Sequence, residues 1–491
     1  MSLRISLAWA TLVTLPMGHA FAQQSNPTQS ATPSSEGTPS SDAATLQQRL
    51  DEQEQRLKIL ERRLELQDEA AKAAAASTPV VRASPSRLSF QSADGSNSIR
   101  FRGVLHFDGR DFLDDATPET SDTWLLRRVR PIVEGTLNNI YDFRFTPDFG
   151  GGRAIVQDAY IAARFRPWAV VTAGKFKVPV GLERWQSATD LRFVERGFPT
   201  SLVPNRDLGV QFGGDLNGGV FNYTLGYFNG VSDGGSSDNN ATVDVDNDTR
   251  GDWAARVFLQ PFLSSDTFAL RGLGFGVGGT YVKSTGSATN TLLPSYRTPG
   301  QQAFFSYRGN TAATGTTPAL NNATFADGER IRWTPQFYYS LGKFGFLGEY
   351  VEVSQAVTRI NGVVTRSDTL DNSAWQLQFA WFITGEEESF RGFTPQSTFE
   401  VGKPGWGAWE LVARTHQLKI DGDAFIGGAN SFANIATSPS KAKALGVGVN
   451  WYLNQNIKWS LDYERTKFDG GAAGGDRDDE KAVLTRFALG F

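Results

Sequence analysis

Cysteine is absent from this 491-residue chain, and methionine and histidine are nearly so, with two and three copies. Without a thiol there are no disulfides, no thiolate nucleophile and no cysteine-based zinc or iron–sulfur centre. His19 falls in the segment read below as a leader, and His106 and His416 are too far apart in sequence to form a metal-ligand spacing. Beyond the first two dozen residues no window approaches the roughly 20 consecutive apolar residues of a transmembrane helix. A helical membrane protein is therefore excluded. There is also no basic excess: the formal charge is -4, which argues against nucleic acid as a partner.

Glycine and aromatics are plentiful instead. The chain has 51 Gly and 12% Phe, Trp and Tyr against 40% hydrophobic residues overall, a composition suited to a β-rich protein with much wetted surface. Arginine outnumbers lysine by 35 to 13, a bias toward the planar fork that holds phosphate or carboxylate bidentately.

Residues 1–22 read as a secretory signal peptide: Arg4, an apolar stretch from Ile5 to Leu15, and Ala20-Phe21-Ala22 as a cleavage site. An uncleaved anchor helix is the alternative. Residues 23–44, rich in Gln, Ser, Thr, Pro and Ala, read as a disordered linker. Leu46, Leu50, Gln53, Leu57, Leu60, Leu64 and Gln67 then alternate spacings of four and three. That is a heptad seam, predicting a coiled-coil helix over 45–78, against the alternative of a solvated helix with no partner. About three heptads are marginal alone, so such a helix would support an oligomer held by something larger. Residues 79–97 read as a second linker.

From residue 98 to 491 the period is two. Ile99, Phe101, Leu105 and Phe107 share one face, and Arg100, Arg102, His106 and Asp108 the other; the windows around Ile331, Leu377 and Leu445 repeat the pattern. In a soluble sandwich this separates core from solvent, and in a membrane barrel it separates lipid from a water-filled lumen. The leader, aromatics at strand ends and a terminal alternating segment from Val483 to Phe491 favour the barrel. Sixteen windows are found, with fourteen or eighteen as the alternatives, an even number as bacterial barrels require, and enough to enclose an aqueous channel. The fold expected is all-β: a 16-stranded antiparallel transmembrane β-barrel with an N-terminal periplasmic coiled-coil helix. Tight turns such as Asn138-Asn139 alternate with long polar loops at 229–250, 284–329 and 421–440.

The connection at 178–208 differs, carrying prolines and the arginines Arg184, Arg192, Arg196 and Arg206 beside Glu183, Asp190, Glu195 and Asp207. It follows the fifth strand, and its composition is too structured for a plain solvent loop. Selectivity needs fixed charge in a narrow, low-dielectric lumen. Alternation assigns Arg100, Arg102, Arg128, Arg130, Arg144, Arg164, Arg166, Lys175 and Lys177 to the inner face, against Asp108, Glu134, Asp142, Asp148 and Asp158. Any one of these arginines could equally be a wall-bracing partner. Asp244-Val-Asp246-Asn-Asp248 lacks the Gly and distal Glu of a calcium loop, and Gly274-Phe-Gly-Val-Gly-Gly279 has no helix after it to make a dinucleotide site. No catalytic, cofactor or metal site is expected.

Leu125-Leu-Arg-Arg-Val-Arg-Pro, Tyr141-Asp-Phe-Arg-Phe, Gln157-Asp-Ala-Tyr, Gly174-Lys-Phe-Lys-Val-Pro-Val-Gly-Leu-Glu-Arg, Gly407-Ala-Trp-Glu-Leu and Leu445-Gly-Val-Gly-Val-Asn-Trp-Tyr occur in that order. Together they resemble the phosphate- and polyphosphate-selective porins of Gram-negative outer membranes, over roughly residues 88–491. The resemblance implies a homotrimer of 16-stranded barrels in lipid and lipopolysaccharide, recognised by the barrel assembly machinery through Phe491. It implies that basic residues hand phosphate groups along each channel. Its paired strand arginines fall on Arg127 and Arg128, its constriction lysine on Arg184, a nearby hydroxyl on Ser187 and a loop arginine on Arg196. Its first-strand arginine and fourth-strand acid are replaced by Val104 and Gln157. The function expected is a water-filled, anion-preferring channel for phosphate, polyphosphate and similar small anions. The alternative is a less selective porin for sugars or organic acids.

Overall fold

The computed structural model describes residues 40–84, 87–113, 122–237, 250–287, 290–309, 322–390 and 392–491. The leader, most of the 23–44 segment and the Asp244–Asp248 stretch lie outside them. The chain divides into two units at Ala73/Ala74.

The first unit contributes nearly all of helix α1, Ser40–Ser77, which begins earlier than the heptad reading placed it. Leu, Gln, Glu, Arg and Ala dominate it, all strong helix formers. Arg62 reaches Glu65 at 2.9 Å and Lys72 reaches Asp68 at 3.1 Å, pairs that stabilise a helix locally. Leu46, Leu50, Leu57, Leu60 and Leu64 are all exposed. Segment 79–97 is more than a linker. Val80–Ser84 and Arg87–Gln91 pair as an antiparallel hairpin, and the second of these strands continues onto Ser98–Phe101.

The second unit is a closed antiparallel barrel. Its strands are β1 Ser98–Phe112, β2 Thr123–Leu137, β3 Tyr141–Asp148, β4 Ile155–Arg166, β5 Ala169–Lys177, β6 Arg206–Leu216, β7 Phe221–Phe228 and β8 Asp252–Leu259. There follow β9 Leu273–Thr285, β10 Thr324–Leu341, β11 Phe344–Asn361, β12 Val364–Phe382, β13 Ala408–Lys419, β14 Lys441–Tyr452, β15 Ile457–Asp469 and β16 Glu480–Gly490. Each strand pairs with the next, and β16 returns to β1 with Leu489 opposite Leu105 and Ala482 opposite Phe112. Gly103 and Phe491 exchange two backbone hydrogen bonds of 3.1 Å. A Cβ on Gly103 would lie 2.5 Å from the Phe491 ring, so the terminal aromatic needs glycine there. Across the same seam Arg486 grips Asp108 bidentately at 2.7 and 2.6 Å.

All sixteen expected windows are strands. Three are the longest: β10, β11 and β12 run 18 or 19 residues, well beyond the roughly 9–11 that cross a bilayer, so they project past the neighbouring strands.

The two faces follow the alternation. Ile99, Phe101, Ile331, Trp333, Leu377, Leu445 and Phe487 are exposed on the outer wall, whereas Arg332, Thr334, Gln376, Gln378 and Asn450 on the same strands are buried inside. An apolar exterior over a polar interior inverts a soluble protein and fits a barrel in lipid. Tyr141, Trp168 and the stacked pair Trp409–Trp451 flank one end, and Trp124 and Trp253 the other, as interfacial girdles do. Asn138 and Asn139 both take positive φ, 51° and 60°, the geometry a two-residue hairpin turn demands.

An arginine-lined constriction as the candidate functional site

The segment 178–205 folds into the lumen and crosses to the far wall. Two properties of its sequence drive this. Val178, Val180, Leu182, Leu191, Phe193, Val194, Phe198, Leu202 and Val203 are all at most 3% exposed, so the loop supplies an apolar core that an empty barrel lacks. Its backbone donors find fixed acceptors on the inner wall, as buried N–H groups must. Leu182 N–H donates to Glu349 Oε1 at 2.7 Å, Phe198 N–H to His416 Nδ1 at 3.1 Å, and Val194 N–H to the Asp462 carboxylate. Glu183 is the hub: its carboxylate accepts from Gly197 N–H at 2.9 Å, Gln376 Nε2 at 3.0 Å and Gln378 Nε2 at 2.9 Å.

A second inward segment was not singled out by the sequence. The 383–407 connection, on the side of the tight turns, sends Glu388 to Arg192, stacks Phe390 on Tyr338 at 4.7 Å, and lets the Phe390 carbonyl accept from Gln186 at 3.1 Å. The two segments occupy the lumen along β10–β16. The open path left runs along β1–β6, the wall with the strand arginines.

That path comprises two cavities that meet. The one toward the long loops has about 950 Å³ and includes, among the described residues, ten basic ones, Arg110, Arg127, Arg128, Arg130, Arg153, Lys177, Arg184, Arg196, Arg206 and Arg297, against three acids, Asp148, Glu195 and Asp233. The one toward the turns has about 730 Å³ and is bordered, among the described residues, by Arg130, Arg144, Arg164, Lys177 and Arg206 against Asp142, Asp158 and Asp215, of which Asp142 holds Arg164 and Asp158 holds Arg206. Arg130, Lys177, Ala188 and Arg206 border both, so they form the neck.

Ion pairing sorts the arginines. Glu195 takes Arg127 at 2.6 Å, Arg110 at 3.4 Å and Arg486 at 3.7 Å. Arg130 is held by Asp148 at 2.7 Å, Arg206 by Asp158 at 3.0 Å, Arg192 by Glu388 and Glu410, and Asp233 is taken by Arg332 at 2.8 Å. Arg100, Arg102 and Arg144 share Glu134 at 3.3, 3.5 and 3.7 Å; they brace the wall instead of standing free. The other six cations of the larger cavity form no ion pair among the described residues. Arg196 donates to the carbonyls of Glu183 at 3.2 Å and Gln186 at 3.0 Å, Lys177 to those of Trp185 and Gln186 at 3.1 and 2.7 Å, and Arg184 to that of Thr200. Among the described residues Arg128 meets only His106 Nδ1, at 3.0 Å.

The loop's guanidinium groups feel this crowding. Burial, reinforced by neighbouring arginines, brings Arg196 down to about 9 and Arg184 to about 10. Burial alone would raise Glu195, but Arg127, Arg128 and Arg486 outweigh it and hold the carboxyl below its ordinary range. Unneutralised cations in a confined space are stabilised by an incoming anion.

Ten of the eleven candidate residues face the lumen, and Lys175 does not. Its register partners Ala159 and Leu208 belong to the outer face, while Thr172 and Gln211 point inward. Arg127 and Arg128 both turn inward although adjacent, because His106 pairs with Arg128 and Phe107 with Leu126, leaving Arg127 as the extra residue of a β-bulge. Ser187 borders the smaller cavity, where its Oγ meets Thr189 Oγ1 at 2.8 Å. The sequence reading missed Arg110, Arg153 and Arg297. Arg110 continues the Asp108 face and was within reach of alternation; Arg153 lies in a loop, and Arg297 ends a three-residue strand, Ser295–Arg297, too short to show a period.

A family model for phosphate-selective porins O and P matches residues 99–491. The chain belongs to this porin family. Porin O of Pseudomonas aeruginosa is 27% identical over 165 residues, 32% of this porin and 35% of Porin O, so the alignment spans about a third of that relative. In fold, the porin is similar to the outer membrane channel DcaP of Acinetobacter baumannii, with TM-score 0.51 and 10% identity over 82% of this chain and 99% of that one. An anion-selective porin from Comamonas acidovorans aligns with TM-score 0.47 and 12% identity over 80% and 100%.

Proposed function

We propose that this outer-membrane porin is an anion-preferring channel through which phosphate, polyphosphate and similar small anions diffuse. One observation carries the reading: among the described residues, six cations without a carboxylate border one cavity whose three acids are already paired. An anion entering there exchanges hydration for charge-assisted hydrogen bonds from Arg128, Arg184 and Arg196, then passes the neck at Arg130 and Lys177, each contact weak enough to release it. Val104, beside Arg130 in the ladder, adds no second cation to Arg130 on that wall of the neck, so passage is favoured over tight capture.

The test is planar-bilayer conductance in a KCl gradient, followed by titration with phosphate and pyrophosphate. A reversal potential on the chloride side with block by phosphate supports the reading. Cation preference, or no block, transfers support to a general porin for sugars or organic acids.

The assembly belongs to the same proposal. The barrel sits as a homotrimer in lipid and lipopolysaccharide, its terminal Phe491 is read by the barrel assembly machinery, and α1 projects into the periplasm and registers the trimer through its exposed leucine seam. Deleting residues 23–84 is expected to leave conductance intact and to lower the temperature at which the trimer dissociates; an unchanged trimer argues against registration.

A further inference from the structure

The two cavities of the pore differ in their walls. Toward the loops, the one aromatic ring at the border among the described residues is that of Phe198, only 1% exposed. Toward the turns, Trp185, Tyr160, Phe176 and Val104 border the space together with the cations. Tyr160 and Phe176 meet edge to face with centroids 6.0 Å apart, so each is held in place by the other. Trp185 is 38% exposed, and its own backbone carbonyl accepts from Lys177 Nζ at 3.1 Å, which fixes an indole next to a cation. Val104 lies in register with Arg130, setting apolar and cationic surface side by side on the inner wall.

A bare phosphate gains nothing from such a wall, since its hydration shell is kept against apolar surface. A ring carrying an anionic group gains twice: its face is removed from water against the indole and phenol, and its charge lies at the neck. At about 730 Å³ the space falls in the range of pockets that hold small organic ligands.

Resting on the anion-channel reading above, we infer that the turn-side cavity is a binding site for aromatic anions, aryl phosphate monoesters above all, with the ring against Trp185, Tyr160 and Val104 and the phosphate at Lys177 and Arg130. The channel therefore favours an aryl phosphate over inorganic phosphate.

The full chain in planar bilayers decides this, with chloride current blocked in turn by inorganic phosphate, methyl phosphate and phenyl phosphate at a pH where all three are dianions. Phenyl phosphate is expected to half-block at roughly one tenth of the concentration of the other two. Trp185→Ala is expected to bring all three within about twofold of one another. Because that variant alters the loop, Val104→Arg serves as an independent probe and is expected to shrink the same ratio from the opposite wall. If inorganic phosphate blocks while phenyl phosphate is no better, or if methyl phosphate matches phenyl phosphate, the inference falls and the anion channel stands. If none of the three blocks, the anion-channel reading falls with it.

Discussion

Arg128 and Arg196 are the side chains on which anion transfer most depends, because each points into the larger cavity without a carboxylate of its own. A hydrogen bond to a charged group contributes about 1.5–3 kcal/mol. Arg196→Gln or Arg128→Gln is thus expected to raise the half-blocking phosphate concentration roughly tenfold or more, measured in bilayers. Arg102→Gln is expected to change it less than threefold, since Glu134 keeps Arg100 and Arg144. Alternation found most of these residues because it reports which face a side chain occupies. It misplaced Lys175 and could not have found the inward turn of Arg127, because near a bulge or a strand end the period of two breaks. Nor could it sort bracing from free arginines, since partners such as Glu195 and Arg127 are 68 residues apart.

At the scale of the element, the constriction depends on Glu183, which joins the two limbs of the inward loop to β12. Its carboxylate is buried, and Arg414 lies 3.8 Å away. Removing one member of such a buried charged network costs about 3–5 kcal/mol. Glu183→Ala is expected to loosen the loop, giving larger and noisier single-channel currents and faster proteolysis at 178–205. Prolines, arginines and position after the fifth strand made this loop legible as special. The 383–407 segment was not, because its anchors Glu388 and Phe390 act through tertiary contacts with Arg192 and Tyr338 that no local pattern announces.

For the whole molecule, closure is the decisive event, since a barrel removes its edges only when the last strand meets the first. The Arg486–Asp108 pair lies on that seam, with both side chains at most 3% exposed. Asp108→Ala leaves the buried guanidinium with only its longer 3.7 Å contact to Glu195, a cost of up to about 3–5 kcal/mol, and is expected to lower the temperature at which the folded barrel loses its compact mobility on denaturing gels. The strand count and closure were legible because the alternation is repeated sixteen times and each repetition constrains the others. The extra length of β10–β12 was not, because outside the bilayer a strand need not be greasy on one side.

The joined cavities also behave as an electrical circuit. Two wide compartments and a narrow neck are resistances in series, and the applied voltage drops mostly across the narrowest of them. An anion lodged beside Lys177 and Arg130 lies within that drop, so its dwell time will depend on the size and polarity of the potential. One held higher up, beside Arg153 or Arg297, lies outside it and will not respond. The voltage dependence of block thus works as a ruler along the pore axis, locating each occupant without a structure of the complex.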